Sequence, residues 1–222
     1  LEGDGLEYIP ATAGTLNRRM GVAGMHFVNK TFLNTDRLRT LFQKYAEGWP
    51  HEPLRVQVRY TRSADFSGTC DYTNKRIFVN VGKHVTYPYA MNTYIARAQS
   101  NAMHWWKELY AIELEDPYQL SLFLFLHELY HWLIKRARRN TRQKESMCDR
   151  FATRTLVDDF GCVVLDEKGK PALREIWDFQ DLDGFVAAAR RTNASAKAAR
   201  RPLSRPAPRP KPPESQFWLF PM

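Results

Sequence analysis

The run from Phe125 to His131, F-L-H-E-L-Y-H, sets two histidines four residues apart with a glutamate directly after the first. Four residues make about one helical turn, so in a helix the two imidazoles leave the same face. The flanking residues call for that helix. Asp116-Pro117 reads as an N-cap followed by proline at the first helical position, and Tyr118 to Ile134 follow with no internal Gly or Pro. Leu120, Phe123, Leu124, His127, Tyr130, His131 and Ile134 fall on one i, i+3, i+4, i+7 stripe, so the histidines continue an apolar, inward face. Flanking Leu and Phe cannot supply the hydrogen-bond partners that a buried histidine pair needs. A metal ion can: two neutral imidazoles at this separation reach one zinc at roughly 2.0–2.1 Å each, and Glu128 sits where a carboxylate takes a proton from metal-bound water. The motif therefore predicts Zn2+ as cofactor, His127 and His131 as ligands and Glu128 as the general base of a hydrolase.

A catalytic zinc takes three protein ligands and leaves one position to water. The extended pattern H-E-x-x-H-x-x-G-x-x-H fails, because Ile134 and Ala137 stand where Gly and His belong and no histidine follows His131. The third ligand is then sought on a second helix, expected from about Arg142 to Asp159, capped by Asn140 or Thr141 and closed by Gly161. Glu145, Cys148, Asp149, Ala152 and Leu156 share one face of it. Glu145 is the expected ligand and Asp149 the group that orients a ligating histidine. Cys148 and Asp149 stay open as alternative ligands, since thiolate is itself a good partner for zinc.

The strings H-E-L-Y-H-W-L-I and E-S-M-C-D-R-F-A-T-R-T-L-V resemble the ImmA/IrrE-type metallopeptidases, over roughly residues 68–157. In that family the active-site helix is followed by E-x-x-A-N/D-x-F-A, whose glutamate supplies the third ligand. The resemblance places that role on Glu145 and implies peptide-bond hydrolysis in a protein or peptide substrate. Cys148 departs from the family's usual alanine, and the segment between the two strings is short.

Upstream, Leu54 to Tyr60 alternates apolar and polar residues as a half-buried strand does, and Phe66 to Tyr72 with Arg76 to Val81 reads as a hairpin about Thr73-Asn74-Lys75. One of these strands is expected at the sheet edge beside the metal helix, where an extended substrate can pair with its backbone. His84, Tyr87, Tyr89, His104 and Tyr110 are candidates for stabilising an oxyanion. Ala98 to Leu114, with Trp105-Trp106, reads as a helix over the sheet or along the cleft.

The whole fits one α+β domain of zincin type at residues 31–188: a small mixed or antiparallel sheet on a metal-binding helix and a second, ligand-bearing helix. A polar, Gly-rich extension is expected at residues 1–30 and a basic, Pro-rich tail with an apolar end at residues 189–222. No apolar run approaches the roughly 18–20 residues of a membrane span, so no membrane partner is expected. Cys70, Cys148 and Cys162 are odd in number and show no C-x-x-C spacing, which points to a reducing cytoplasm. Residues 190–214 carry +7 of the formal +9 charge, leaving the body nearly neutral. That tail offers contacts to nucleic acid or to an acidic partner. Two alternatives to a peptidase follow: a nucleic-acid-associated protein acting through its tail, and a non-catalytic module stapled by zinc.

Overall fold

The computed structural model describes residues 25–51 and 54–199; the tail beyond residue 199 and the first 24 residues lie outside the described region. The described chain is mixed α+β, with three small sheets and five helices. The main sheet holds β1 (His26–Lys30), β2 (Arg55–Tyr60), β3 (Phe66–Asp71) and β4 (Arg76–Val81) in the order β1-β2-β4-β3. β1, β2 and β4 run parallel, and β3 pairs antiparallel with β4 at the edge. The expected hairpin is thus present. Its turn is fastened by Asp71 Oδ1, which accepts from the N–H groups of Thr73 and Asn74, and it closes through Lys75 at φ 54°.

β1 falls inside the segment read from sequence as an N-terminal extension. It is a short strand, half-buried at its centre and exposed at both ends, whose sheet membership is set by its parallel register with β2, so the folded body starts before residue 31. At the other end, a helix (α5, Leu182–Ala199) runs across the expected 188/189 boundary, because Ala-rich residues 187–199 prolong the helix begun at Leu182.

The helix that carries the histidine motif is α2 (Pro117–Arg136). Asp116 caps it as expected, with Oδ1 accepting from the N–H groups of Tyr118 and Gln119 at 2.8 Å each. Most of its side chains are buried all round, so the stripe read from sequence understates its position: α2 is the central helix of the core. One side packs on β3 and β4, and the others meet α1 (Thr35–Ala46), α3 (Glu145–Phe160) and α5. Phe42 of α1 stacks on Phe125 at 4.3 Å between ring centroids. Tyr130 donates to the Leu182 carbonyl and Trp132 Nε1 to the Pro50 carbonyl, which fixes the rotation of α2 at two polar points within its apolar surround.

The expected helix at Ala98–Leu114 is absent. That segment makes β6 (Gln99–Ser100) and β7 (Trp105–Trp106), paired as a short ribbon, and then β8 (Tyr110–Leu114), which pairs with β5 (Tyr89–Thr93) and β9 (Val164–Leu165). Ala, Trp, Leu and Glu lend the stretch a helical composition, but Asn101 overrides it: its Oδ1 accepts from the N–H groups of Met103 and His104 and folds the ribbon's turn. Tyr110 to Leu114 then alternates buried and half-buried residues with period two. A four-residue helix, α4 (Arg174–Trp177), precedes α5. No helix among the described residues is long and apolar enough to cross a membrane.

Candidate metal centre

α2 and α3 are joined by a connector that turns twice through left-handed backbone, at Arg138 (φ 57°) and Gln143 (φ 55°). The second turn is why α3 starts at Glu145 and not at Arg142: its N-cap is Lys144, with no side-chain cap, and Asn140 instead closes a turn by accepting from the Arg142 N–H. Glu145 therefore stands in the first turn of α3, where a carboxylate is favoured by the helix dipole and its side chain reaches back over α2. Gly161 ends the helix at φ 68°, as its C′ position requires.

Four of the residues singled out from sequence meet here. His127 Nε2 lies 3.2 Å from His131 Nε2 and 3.2 Å from Glu145 Oε2, and His131 Nε2 lies 3.4 Å from Glu145 Oε1. Nitrogen and oxygen donors held at roughly 2.0–2.1 Å around a tetrahedral ion stand roughly 3.3–3.4 Å from one another. The three side chains already have the spacing of a ligand set. Asp149 lies behind them: its Oδ1 is 2.8 Å from His127 Nδ1, and its Oδ2 accepts from the Tyr94 N–H at 2.7 Å. That bond assigns the Nδ1 proton of His127 and leaves Nε2 to face its neighbours. His131 has no such support, because its Nδ1 is buried with no partner among the described residues.

Cys148 Sγ joins the two histidines in a second possible metal-holding group, their donor atoms all within 4.8 Å of one another. The two groups share the histidines and differ in the third member. Glu145 is partly open to solvent and ionised in the metal-free chain: a hydrogen bond to His127 lowers its pKa to about 2 against the opposing effect of burial. The Cys148 thiol is fully buried and pushed far up by that burial, then by Glu145 and Asp149. In the metal-free chain it is a protonated thiol with its sulfur close to the donor atoms of both histidines.

Electrostatics tie the cluster together. Burial by itself would lower the His127 pKa, but the hydrogen bonds to Asp149 and Glu145 outweigh it and raise the group to about 10. His131 moves the other way, lowered by burial and by the neighbouring His127. Glu128 points from α2 to the sheet, and burial raises it to about 7, with His127 pulling down and Glu145 pushing up. It lies against β3 at Gly68, where a Cβ would stand 2.3 Å from Glu128 Oε1. The edge strand beside α2 is thus β3, one of the strands expected next to the histidine helix.

None of the five oxyanion candidates has a contact with this cluster. Tyr89 donates to Asp65, Tyr110 to Glu108, and His104 sits in the exposed ribbon against Trp106. Tyr87 is half-buried with its hydroxyl near Asp116, and His84 is exposed. Tyr72 is the phenol that feels the cluster: burial raises its pKa, and Cys70, Cys148, Glu128 and Glu145 add to it. It follows Gly68 and Cys70 at intervals of two, on the side of β3 that faces α2.

Two further residues were not visible in the sequence. Arg150 is buried and clamps the segment after β5, donating from Nε to the Ile95 carbonyl at 2.6 Å and from Nη2 to that of Ala96 at 3.0 Å. It thereby holds Tyr94 against Asp149. Lys107 reaches Ser146, next to Glu145, and brings the Trp105-Trp106 ribbon to the start of α3. Both act through tertiary contacts across more than thirty positions of sequence, and no local pattern announces them.

Comparison of the chain with protein-family models, with characterised proteins and with solved structures finds no match.

Proposed function

We propose that this protein is a zinc-dependent metallopeptidase of the glutamate-ligand zincin type, akin to the ImmA/IrrE-type enzymes, that cuts a protein substrate internally. The observation that carries the reading is the convergence of His127 Nε2, His131 Nε2 and Glu145 within 3.2–3.4 Å, with Glu128 one residue along the same helix and turned to the sheet. His127, His131 and Glu145 hold the metal; Asp149 orients His127. Zinc bound there supplies a Lewis acid for the scissile carbonyl and a water of lowered pKa.

The remaining steps belong to the chain itself. Glu128, kept in a poorly hydrated position whose pKa is about 7, takes the proton of the attacking water and returns it to the leaving amine. β3 is the outer strand of the main sheet: Glu128 accepts from the Cys70 N–H, Gly68 lets backbone and Glu128 approach each other closely, and the rest of the strand's edge pairs with an extended substrate. The ribbon with Trp105 and Trp106, exposed at 70% and 38% and tied to the start of α3 by Lys107, offers an apolar surface to bulky substrate side chains. The free thiols Cys70, Cys148 and Cys162 suit a reducing compartment such as the cytoplasm.

The test is cleavage of an unfolded protein by the zinc-loaded chain and by Glu128→Gln. Loss of at least about a hundredfold in rate with unchanged zinc content supports the peptidase. Equal rates in the two proteins, or no cleavage by either, contradict it and leave a structural metal site.

A further inference from the structure

The main sheet has α2 on one face, and no described helix covers the other. Val56, Val58, Ile77 and Val79 are buried towards α2, so alternation turns Arg55, Gln57 and Arg59 of β2 and Arg76, Phe78 and Asn80 of β4 outward. The register then sets like charges side by side: Arg55 beside Arg76, and Arg59 beside Lys30 of β1. All four are exposed, and among the described residues none makes an ion pair with a carboxylate. Like charges directly opposite on neighbouring strands are destabilising. The Lys30–Arg59 pair has no acid beside it in the register, its next neighbour being Asn80, so that end of the face would be more stable in water with an acid in the pair.

Among the described residues one carboxylate shares this face: Asp71, which stands opposite Arg76 in the register and attracts it, while its oxygens accept hydrogen bonds from its own turn. Arg59 is aimed by neutral groups: its Nε donates to Asn80 Oδ1 at 2.6 Å, and Asn80 Nδ2 donates to Ser67 Oγ at 2.9 Å. Its positive charge is positioned but not neutralised. Its guanidinium lies 4.6 Å from the centroid of Phe78, the half-buried ring between the two cation pairs. Beyond Arg59 the strands open into a cleft of about 490 Å³ lined by Arg62, Thr61, Ser63 and Ser67, further donors with no acid among the lining residues.

We propose that this open face binds single-stranded nucleic acid, with phosphates at the two cation pairs and in the Arg62 cleft and a base stacked on the Phe78–Arg59 pair. The pairs stand about 13 Å apart along the strands and about 5 Å across them. That layout is a track of positive charge with an aromatic in its middle, the combination that retains single strands. An acidic protein would not require the ring, and an anionic membrane would call for apolar side chains that protrude from the face. The proposal is independent of the metal centre on the opposite side of the sheet.

The full-length protein is titrated into a fluorescent oligothymidylate of about 16 nucleotides and the anisotropy followed between about 50 and about 200 mM salt. The face is expected to contribute about −3.5 to the slope of log K on log salt, from its five cations Lys30, Arg55, Arg59, Arg62 and Arg76. Arg55→Gln/Arg76→Gln weakens binding about tenfold and flattens the slope by about 1.4. Arg55→Lys/Arg76→Lys keeps most of the affinity, which separates lost charge from lost fold. Phe78→Leu weakens binding with the slope unchanged. Lys168→Gln/Lys170→Gln, the same charge change in a turn of the other sheet, leaves affinity within twofold or so of the starting protein. No binding at low salt, retention of affinity in the Arg→Gln protein, an equal loss in the Lys168/Lys170 control, tighter binding of a duplex, or capture by phosphatidylserine vesicles in place of the oligonucleotide would each overturn the proposal.

Discussion

Glu128 and Gly68 are in contact with no space for a methyl group between them: a Cβ at residue 68 would lie 2.3 Å from Glu128 Oε1 and 2.9 Å from its Cγ. The glycine is needed for room and not for backbone freedom, since its φ is not in the left-handed region. An alanine there must push the carboxyl off its position on the sheet. Gly68→Ala is expected to lower kcat/KM by about ten- to a hundredfold with zinc content unchanged, a misplacement effect on a group used in proton transfer. Cleavage kinetics beside elemental analysis check it, and an active Gly68→Ala enzyme would show that Glu128 works from another position.

Asp149 joins α2 to the β5–β6 connection, with one oxygen on His127 and the other on the Tyr94 N–H. Asp149→Asn loses the charge that orients and polarises His127, and zinc affinity is expected to fall about ten- to a hundredfold. Competition with a chromogenic chelator reads this directly. Unchanged affinity would show that the carboxylate only braces the connection.

Metal binding is expected to release a proton at neutral pH. Without metal, His127 is held charged by Asp149 and Glu145, with a pKa of about 10 against an ordinary 6.5. The sign follows from linkage: this raised pKa stabilises the metal-free fold fully below pH 6.5, and the contribution is lost as pH rises through about 10. Zinc needs the neutral ring. Titration calorimetry near pH 7.5 in buffers of different ionisation enthalpy is expected to show close to one proton displaced per ion, and none would mean His127 is already neutral.

Arg150 is a buried cation that donates to the backbone carbonyls of Ile95 and Ala96 and to Gln180 Oε1, with its guanidinium 4.3 Å from the centroid of Phe179. Burial lowers its pKa to about 10 despite the nearby Asp149. Arg150→Ala strands those carbonyls and is expected to cost about 3 kcal/mol in chemical denaturation, with weaker zinc binding because Tyr94 is no longer held on Asp149. Full stability would show that the segment after β5 holds itself.

Local signals carried much of the architecture. Asp116-Pro117 marked the start of α2, Gly161 the end of α3, and the alternation in Leu54–Tyr60 the strand β2. His127, His131, Glu145 and Asp149 could be nominated because helical spacing alone puts each pair on one face. What stayed hidden depends on contacts between distant elements. Gly68 has no signature until β3 is laid on Glu128, and the Arg150 clamp joins positions 55 apart in the chain. Residues 98–114 were misread because helical propensity summed over the window is weaker than one Asn101 turn and two strand pairings.

The choice of third ligand decides whether this cluster is a metal centre of the kind proposed. Elemental mass spectrometry on the purified protein, beside Glu145→Ala and Cys148→Ala, tests it most directly. The account predicts about one zinc per chain in the parent and in Cys148→Ala, with loss or marked weakening in Glu145→Ala. A parent that holds no zinc and cannot be loaded, or a Glu145→Ala protein that binds as the parent does while Cys148→Ala fails, would contradict it.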